Sequence, residues 1–255
     1  MSNPPTPPLL ELREISKSYG NIRAVRNVSL DVHAGEIVAI VGDNGAGKST
    51  LIKIATGAVH ADKGAILVDG RKAPISKPHD AQRLGIAAIY QDLALFDNLD
   101  VGENVFAGRE ETVRLAGIRF LRRKRMAIAA HEAVKALGIR TLESARPLAG
   151  SLSGGQRQMI AVARAIGMNA RVLILDEPTA ALGVRESALL LDQARRLRAS
   201  GLAIILITHR IPDALDLANR IVVLKGGELQ GVLRPPDCTL EDIADLIVRG
   251  RQAAA

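Results

Sequence analysis

Apolar residues follow two rhythms along this chain. From about residue 10 to 90, short apolar runs divided by turn residues predict strands at 10–16, 28–32, 36–41, 65–69 and 86–90. From about 92 to 165 the spacing becomes helical. Ala130, Ala133, Val134 and Leu137 share one face, Gly138 marks a stop, and 154–165 predicts a further helix. Beyond residue 171 strands and helices alternate again, with strands at 172–175 and 203–207 and a helix face of Leu190, Ala194 and Leu197. Residues 222–224, the pair Gly226 and Gly227, and residues 228–232 predict a terminal hairpin. Thr239 with Asp242 predicts a capping box, opening a last helix with Leu240, Ile243, Ala244 and Ile247 on one face. This alternation predicts an α/β fold: a parallel-sheet core, a β-rich edge and a helical subdomain over about 92–165. No internal repeat is visible.

The run GDNGAGKST at 42–50 fits G-x-x-x-x-G-K-[ST] without a mismatch. It lies between an apolar strand ending at Val41 and an apolar helical stretch from Leu51, the setting in which this loop holds phosphate. Gly42, Gly45 and Gly47 can take backbone angles closed to other residues, so the amides of Asp43, Asn44, Ala46 and their neighbours can turn inward around an anion. Lys48 is then expected at the β- and γ-phosphates, the Ser49 hydroxyl on magnesium and Thr50 near the α-phosphate. A second apolar strand ends in Asp176 and Glu177, where strands of an open α/β sheet place their ligands. Adjacent carboxylates at a strand end point in different directions. Asp176 can face the metal through a water while Glu177 polarises the water that attacks the γ-phosphate.

Between these sites stands LSGGQRQ, residues 152–158. LSGGQ resembles the signature of the ATP-binding cassette (ABC) family, and further pieces follow that family's order from about Leu10 to Leu233. Gln91 resembles its Q-loop residue, His209 its switch histidine, and Tyr19 the aromatic that stacks on adenine. The resemblance implies a P-loop NTPase core of the ABC type spanning 10–249, between a Pro-rich tail at 1–9 and a short tail at 250–255. It implies ATP and Mg2+ as ligands, with Ser49, Gln91 and Asp176 around the metal and Lys48, Gln91, Glu177 and His209 in catalysis. It further implies a head-to-tail homodimer in which Ser153, Gly154, Gly155 and Gln156 of one copy meet the γ-phosphate held by the other. One element departs from the pattern: after EPTAAL, Gly183 stands where the D-loop usually has an aspartate, which removes a carboxylate from that loop. The run EPTAALGVRES and the run QDLALFDNLDVGENVFAGRE at 91–110 resemble ATP-binding subunits of bacterial monosaccharide importers. The implied partners are transmembrane permease subunits, docked around 96–101, and indirectly a periplasmic sugar-binding protein. Transport of amino acids or lipids, and a non-transport cassette acting on nucleic acid or ribosomes, are the alternatives.

Composition narrows these alternatives. At 255 residues and 47% apolar the chain can bury a full core. No apolar run approaches the roughly 20 residues that span a bilayer. The opening MSNPPTPPLL lacks a basic segment followed by an apolar core, so it reads as a disordered tail rather than a signal peptide. The single Cys238 excludes an internal disulfide and fits a reducing compartment. These features fit the cytoplasm, and the resemblance to importer subunits implies a peripheral protein on the cytoplasmic face of the inner membrane. The net charge of +7 is compatible with polyanionic partners, but two Tyr, three Phe and no Trp leave no stacking platform for single strands, so nucleic acid is not expected. The densest basic cluster, RFLRRKR at 119–125, precedes the amphipathic face and reads as a solvated helix start.

Overall fold

In the first strand, β1 (Leu10–Tyr19), the buried residues are Leu10, Leu12 and Ile15, a spacing that breaks strict alternation. A bulge at Glu14, whose φ is +53°, inserts one extra residue and returns Ile15 to the buried face. The structure is a computed structural model that describes residues 7–115, 117–137 and 144–250. The expected tails at 1–6 and 251–255 and the expected helix stop at Gly138 lie outside the described residues.

The chain divides into two units. The first comprises the described parts of Met1–Ala88, Ala170–Glu177 and Ala194–Ala255. In it, β1 pairs antiparallel with β2 (Ile22–Val32) and with β4 (Lys63–Val68), which in turn pairs with β5 (Arg71–Lys72). The expected strands at 10–16 and 28–32 are thus the inner parts of longer ones, whose outer ends are too polar to show an apolar rhythm.

The second sheet has the order β12-β11-β3-β10-β9-β6, with β3 (Ile37–Val41), β6 (Ile86–Ile89), β9 (Val172–Asp176), β10 (Ala203–Ile207), β11 (Arg220–Lys225) and β12 (Glu228–Leu233). Every residue of β3 and β10 is buried, as expected of strands covered on both faces. β3, β10 and β9 run parallel in register, with Ile207 opposite both Ile40 and Asp176, and β11 runs parallel to β3. β12 is antiparallel, so the core sheet is mixed rather than wholly parallel. A Gly226-Gly227 turn leaves too little chain for a parallel crossover. Helices α1 (Lys48–Ala55), α2 (Pro78–Arg83), α7 (Ile211–Leu217) and α8 (Leu240–Arg249) belong to this unit. The capping box of α8 forms as expected, with Thr239 Oγ1 accepting from the Asp242 amide at 3.2 Å. Its buried face, however, is Ile243 with Leu246 and Ile247 against Ala39, Val41, Ile221 and Val223. Leu240 is 46% exposed, because the first residue of the helix lies beyond the edge of that cluster.

The second unit comprises Ile89–Asn169 and Pro178–Gln193. It holds α3 (Val101–Phe106), α4 (Arg123–Ala136), α5 (Gly154–Ile166) and the start of α6 (Val184–Ala199). Val101, Val105, Met126, Ala130, Val134 and Ile160 are buried in it. Between α3 and α4 the chain forms an antiparallel hairpin, β7 (Thr112–Leu115) and β8 (Ile118–Leu121), where the sequence predicts only helix. The basic cluster at 119–125 therefore begins in a strand and passes into α4. Strands of four residues carrying arginines give too few apolar positions to separate period 2 from period 3.6. Among the described residues, no helix is long and apolar enough to cross a membrane.

Replacing Leu173, fully buried in β9, by alanine should cost the protein about 2–5 kcal/mol of stability. Leu240→Ala should shift it by about 0.5 kcal/mol or less. Urea unfolding of the two variants checks the contrast, and equal losses would contradict the burial described here.

Candidate functional site

β3 ends at Val41 and α1 begins at Lys48, and the loop between them is shaped by close backbone approach. Gly42, Gly45 and Gly47 have φ of +151°, +84° and +102°. A Cβ on Gly42 would stand 2.1 Å from the carbonyl oxygen of Leu224 in β11, and one on Gly47 would stand 2.5 Å from that of Ala24 in β2. Two neighbouring strands thus press their backbones onto the loop, and only glycine fits at those positions. The loop is held by the Ala46 amide donating to Asp43 O at 3.1 Å and the Gly227 amide donating to Ala46 O at 3.1 Å. Asp43, Asn44 and Gly45 are exposed at its rim.

No side chain caps α1 and its first turn has no acidic residue, so its leading N–H groups and positive dipole end are available to an anion. Lys48 is buried, and its ammonium donates to Gly42 O at 2.6 Å and Asp43 O at 3.0 Å. Those carbonyls satisfy a buried cation at the mouth of the loop. Ser49 is exposed and Thr50 half-buried in the same turn.

The register that sets Ile40, Ile207 and Asp176 side by side brings three strand ends together: Gly42 follows β3, Asp176 and Glu177 close β9, and His209 lies two residues past β10. Glu177 has φ +50°, unusual for a residue with a side chain, and its amide donates to Ile207 O at 2.9 Å. Its Oε2 lies 2.6 Å from His209 Nδ1 and accepts from the His209 amide at 3.4 Å. The Glu177 side chain is 17% exposed and that of His209 61%, so the pair runs from the sheet end out to water. Burial, then the neighbouring charge of Glu177, push the Asp176 carboxyl above its usual value, while Lys48 and Lys53 pull the other way. Tyr19, at the end of β1, exposes its ring, with Lys17 Nζ 5.6 Å from its centroid.

The first unit thus gathers the 42–50 loop, Asp176, Glu177 and His209 at one end of its sheet. Gln91 and residues 153–156 belong to the second unit. Gln91 is exposed two residues past β6. Ser153 is the N-cap of α5, its Oγ accepting from the Gln156 amide at 3.3 Å while Gln156 Oε1 accepts from the Ser153 amide at 3.0 Å. A Cβ on Gly155 would lie 2.9 Å from Cγ of Glu186, and one on Gly183 would lie 2.6 Å from its Oε2. The Glu186 side chain therefore fills the space that side chains at Gly155 and Gly183 would take.

Three residues that organise this unit escape sequence reasoning. Asn104 is fully buried in α3; its Oδ1 accepts from the Phe96 amide at 2.8 Å, and its Nδ2 donates to the carbonyls of Phe96, Leu99 and Asp100. Arg157 donates to Asp97 Oδ1 at 2.6 Å and Ala149 O at 2.9 Å. Arg164 donates to Leu93 O at 2.6 Å and Ala94 O at 2.8 Å. The available signal is two arginines seven apart on α5, two turns along one face of a helix whose stretch between Gln158 and Arg164 is apolar.

A magnesium ion at the first unit's sheet end fits the donors present. Mg2+ takes one or two carboxylates and keeps waters or phosphate oxygens for the rest. Asp176 and the Ser49 hydroxyl suit that pattern, and among the described residues no cluster of three or more His, Cys, Asp or Glu offers a full protein cage.

The family profile for ABC transporters matches residues 25–180. The xylose/arabinose import ATP-binding protein of Sulfolobus acidocaldarius is 41% identical over 94% of this chain and 93% of its own length. The fructose import ATP-binding protein of Rhizobium meliloti is 41% identical, covering 92% of each. A ribose import ATP-binding protein of Burkholderia pseudomallei is 42% identical over 97% of this chain, which spans 47% of that longer relative. Among solved structures, a nucleotide-free ATP-binding cassette from an ABC transporter superposes with a TM-score of 0.79 at 25% identity, covering 94% of this chain and 95% of the other. A dimeric bacterial ABC transporter cassette gives 0.74 at 26% identity over 89% and 98%. The strand-end glycine loop, the carboxylate pair and these likenesses over nearly the whole chain lead to one conclusion: the chain belongs to the ABC transporter family, as an ATP-binding cassette of the P-loop α/β fold.

Proposed function

We propose that this chain is the ATP-hydrolysing subunit that energises monosaccharide import through a membrane permease. The observation that carries the chemistry is the Glu177–His209 pair at the sheet end that also holds the 42–50 loop. Glu177 orients and polarises the attacking water, and His209 holds Glu177 and stabilises charge on the γ-phosphate as it leaves. Lys48, drawn from Gly42 O and Asp43 O to the β- and γ-phosphates, and the amides of residues 43–50 hold the triphosphate. Ser49 and Asp176 are the residues that would hold magnesium; the ion would supply charge neutralisation on the phosphate oxygens. Tyr19 stacks on the adenine ring.

A second copy of the chain completes each site. Its Ser153, Gly154, Gly155 and Gln156 present the N-terminus of α5 to the γ-phosphate, an anion at a helix start. Two equal sites follow from a closed two-fold contact. Glu186, lying against Gly155 and Gly183, supplies the carboxylate that the Gly183 loop lacks. The import assignment is supported by about 41% identity to sugar-import ATP-binding proteins along nearly the full length of this chain. The partners are then permease subunits, docked at 96–101 on the cytoplasmic side of the membrane, and a sugar-binding protein beyond them. No residue here contacts the sugar.

Lys48→Ala should weaken ATP binding and hydrolysis together. Glu177→Gln should retain binding while turnover falls about 10²–10⁴-fold. Nucleotide titration alongside phosphate release separates the two; unchanged turnover in Glu177→Gln would refute its role. Hydrolysis per subunit by the isolated chain should fall steeply on dilution, and a rate strictly proportional to protein concentration would exclude the shared site. The import reading is tested by reconstitution with its permease: sugar with its binding protein should stimulate hydrolysis, and stimulation by amino acids or lipids instead would reassign the cargo.

A further inference from the structure

The β7–β8 hairpin plays no part in ATP chemistry, yet its side chains are sorted. Val113 pairs with Phe120 and Leu115 with Ile118, so alternation places all four on one face. They are 38%, 49%, 67% and 61% exposed respectively, rising toward the turn. The other face carries Arg114 directly opposite Arg119, and Thr112 opposite Leu121, which is 44% exposed and adds one apolar side chain beside the arginines. Like charges facing each other across strands are destabilising, and an isolated two-stranded hairpin is marginal in water. Residues 112–125 contain no acidic side chain. Beyond the hairpin, Arg123 and Arg125 are paired with Glu103 at 3.3 Å and Glu111 at 3.0 Å, while Arg122 and Lys124 add exposed positive charge. The segment thus combines exposed apolar surface with a concentration of cations that repel one another.

An occupant must offer both apolar depth and negative charge. A second copy of this hairpin would set arginine against arginine. Cytoplasmic loops of a permease carry an excess of Lys and Arg, again the same sign. The cytoplasmic leaflet of a membrane is anionic over an apolar interior and answers both demands. The dimensions agree, since a strand rise of about 3.4 Å sets Thr112 roughly 10 Å behind Leu115. Interfacial elements seat about 5–10 Å into the headgroup and acyl boundary.

We propose that the β7–β8 hairpin seats turn-first in the surface of an anionic lipid bilayer. Leu115 and Ile118 enter first, Val113 and Phe120 follow, and Arg114, Arg119, Arg122 and Lys124 meet the lipid phosphates. This anchor does not depend on which solute is carried.

Because the chain has no Trp, Phe120→Trp in the full chain gives a single reporter inside the contact. With vesicles of phosphatidylcholine mixed with phosphatidylglycerol, its emission should shift to the blue and be quenched by brominated acyl chains; phosphatidylcholine alone should give little change. Leu115→Ser with Ile118→Ser in that background keeps every charge, and should lower the vesicle partition coefficient about tenfold or more. Arg114→Gln with Arg119→Gln should lower it about 30-fold. Retained ATP hydrolysis certifies the fold of each variant. The proposal fails if the protein sediments with anionic vesicles while the indole emission stays unmoved, if the serine variant binds like its parent, or if no binding occurs. It also fails if the blue shift appears without lipid as protein concentration rises, which would assign the face to a second copy.

Discussion

The nucleotide loop depends on one steric constraint: the backbones of β2 and β11 approach the loop after β3 so closely that side chains at Gly42 and Gly47 have nowhere to go. Everything local follows from that pressure. The chain takes positive φ at both glycines, and α1 starts with no capping side chain. Sequence and sheet order are therefore a single fact. Only because β11 lies beside β3 does Leu224 reach Gly42, and only because Gly42 has no Cβ can β11 lie there.

The same sheet explains the Glu177–His209 pair. In-register parallel strands end at a common level, so residues distant in sequence are delivered to one edge without long loops. Glu177 occupies a left-handed backbone conformation there, held by an amide bond to Ile207 and by contact between its carboxylate and His209. Strain of this sort persists where the surroundings over-determine it. Asp176, one residue earlier, remains half-buried, with a carboxyl harder to ionise than usual.

The sequence is most legible where backbone geometry leaves little choice. The buried strands β3 and β10 read directly as unbroken apolar runs, and the 42–50 loop is visible because its glycines have no substitutes. The capping box of α8 is local in sequence and equally plain. Where several solutions exist, the text is ambiguous. Residues 112–121 are too short and too basic to betray a hairpin, and Leu240 continues a helical stripe beyond the surface that could cover it. Asn104, Arg157 and Arg164 are invisible for another reason: most of their partners are backbone carbonyls and amides, and a carbonyl has no letter in the sequence.

Arg157 and Arg164 stand seven residues apart on α5, about 10 Å along its axis. One grips Asp97 and the other the carbonyls of Leu93 and Ala94. A segment fastened at two separated points cannot swivel about either. Force applied at Phe96, exposed between the two fastenings, is therefore not dissipated in a slack loop but carried along the helix to Ser153 at its far end. The stiffness of this linkage makes the signature helix and the surface beside it one mechanical part.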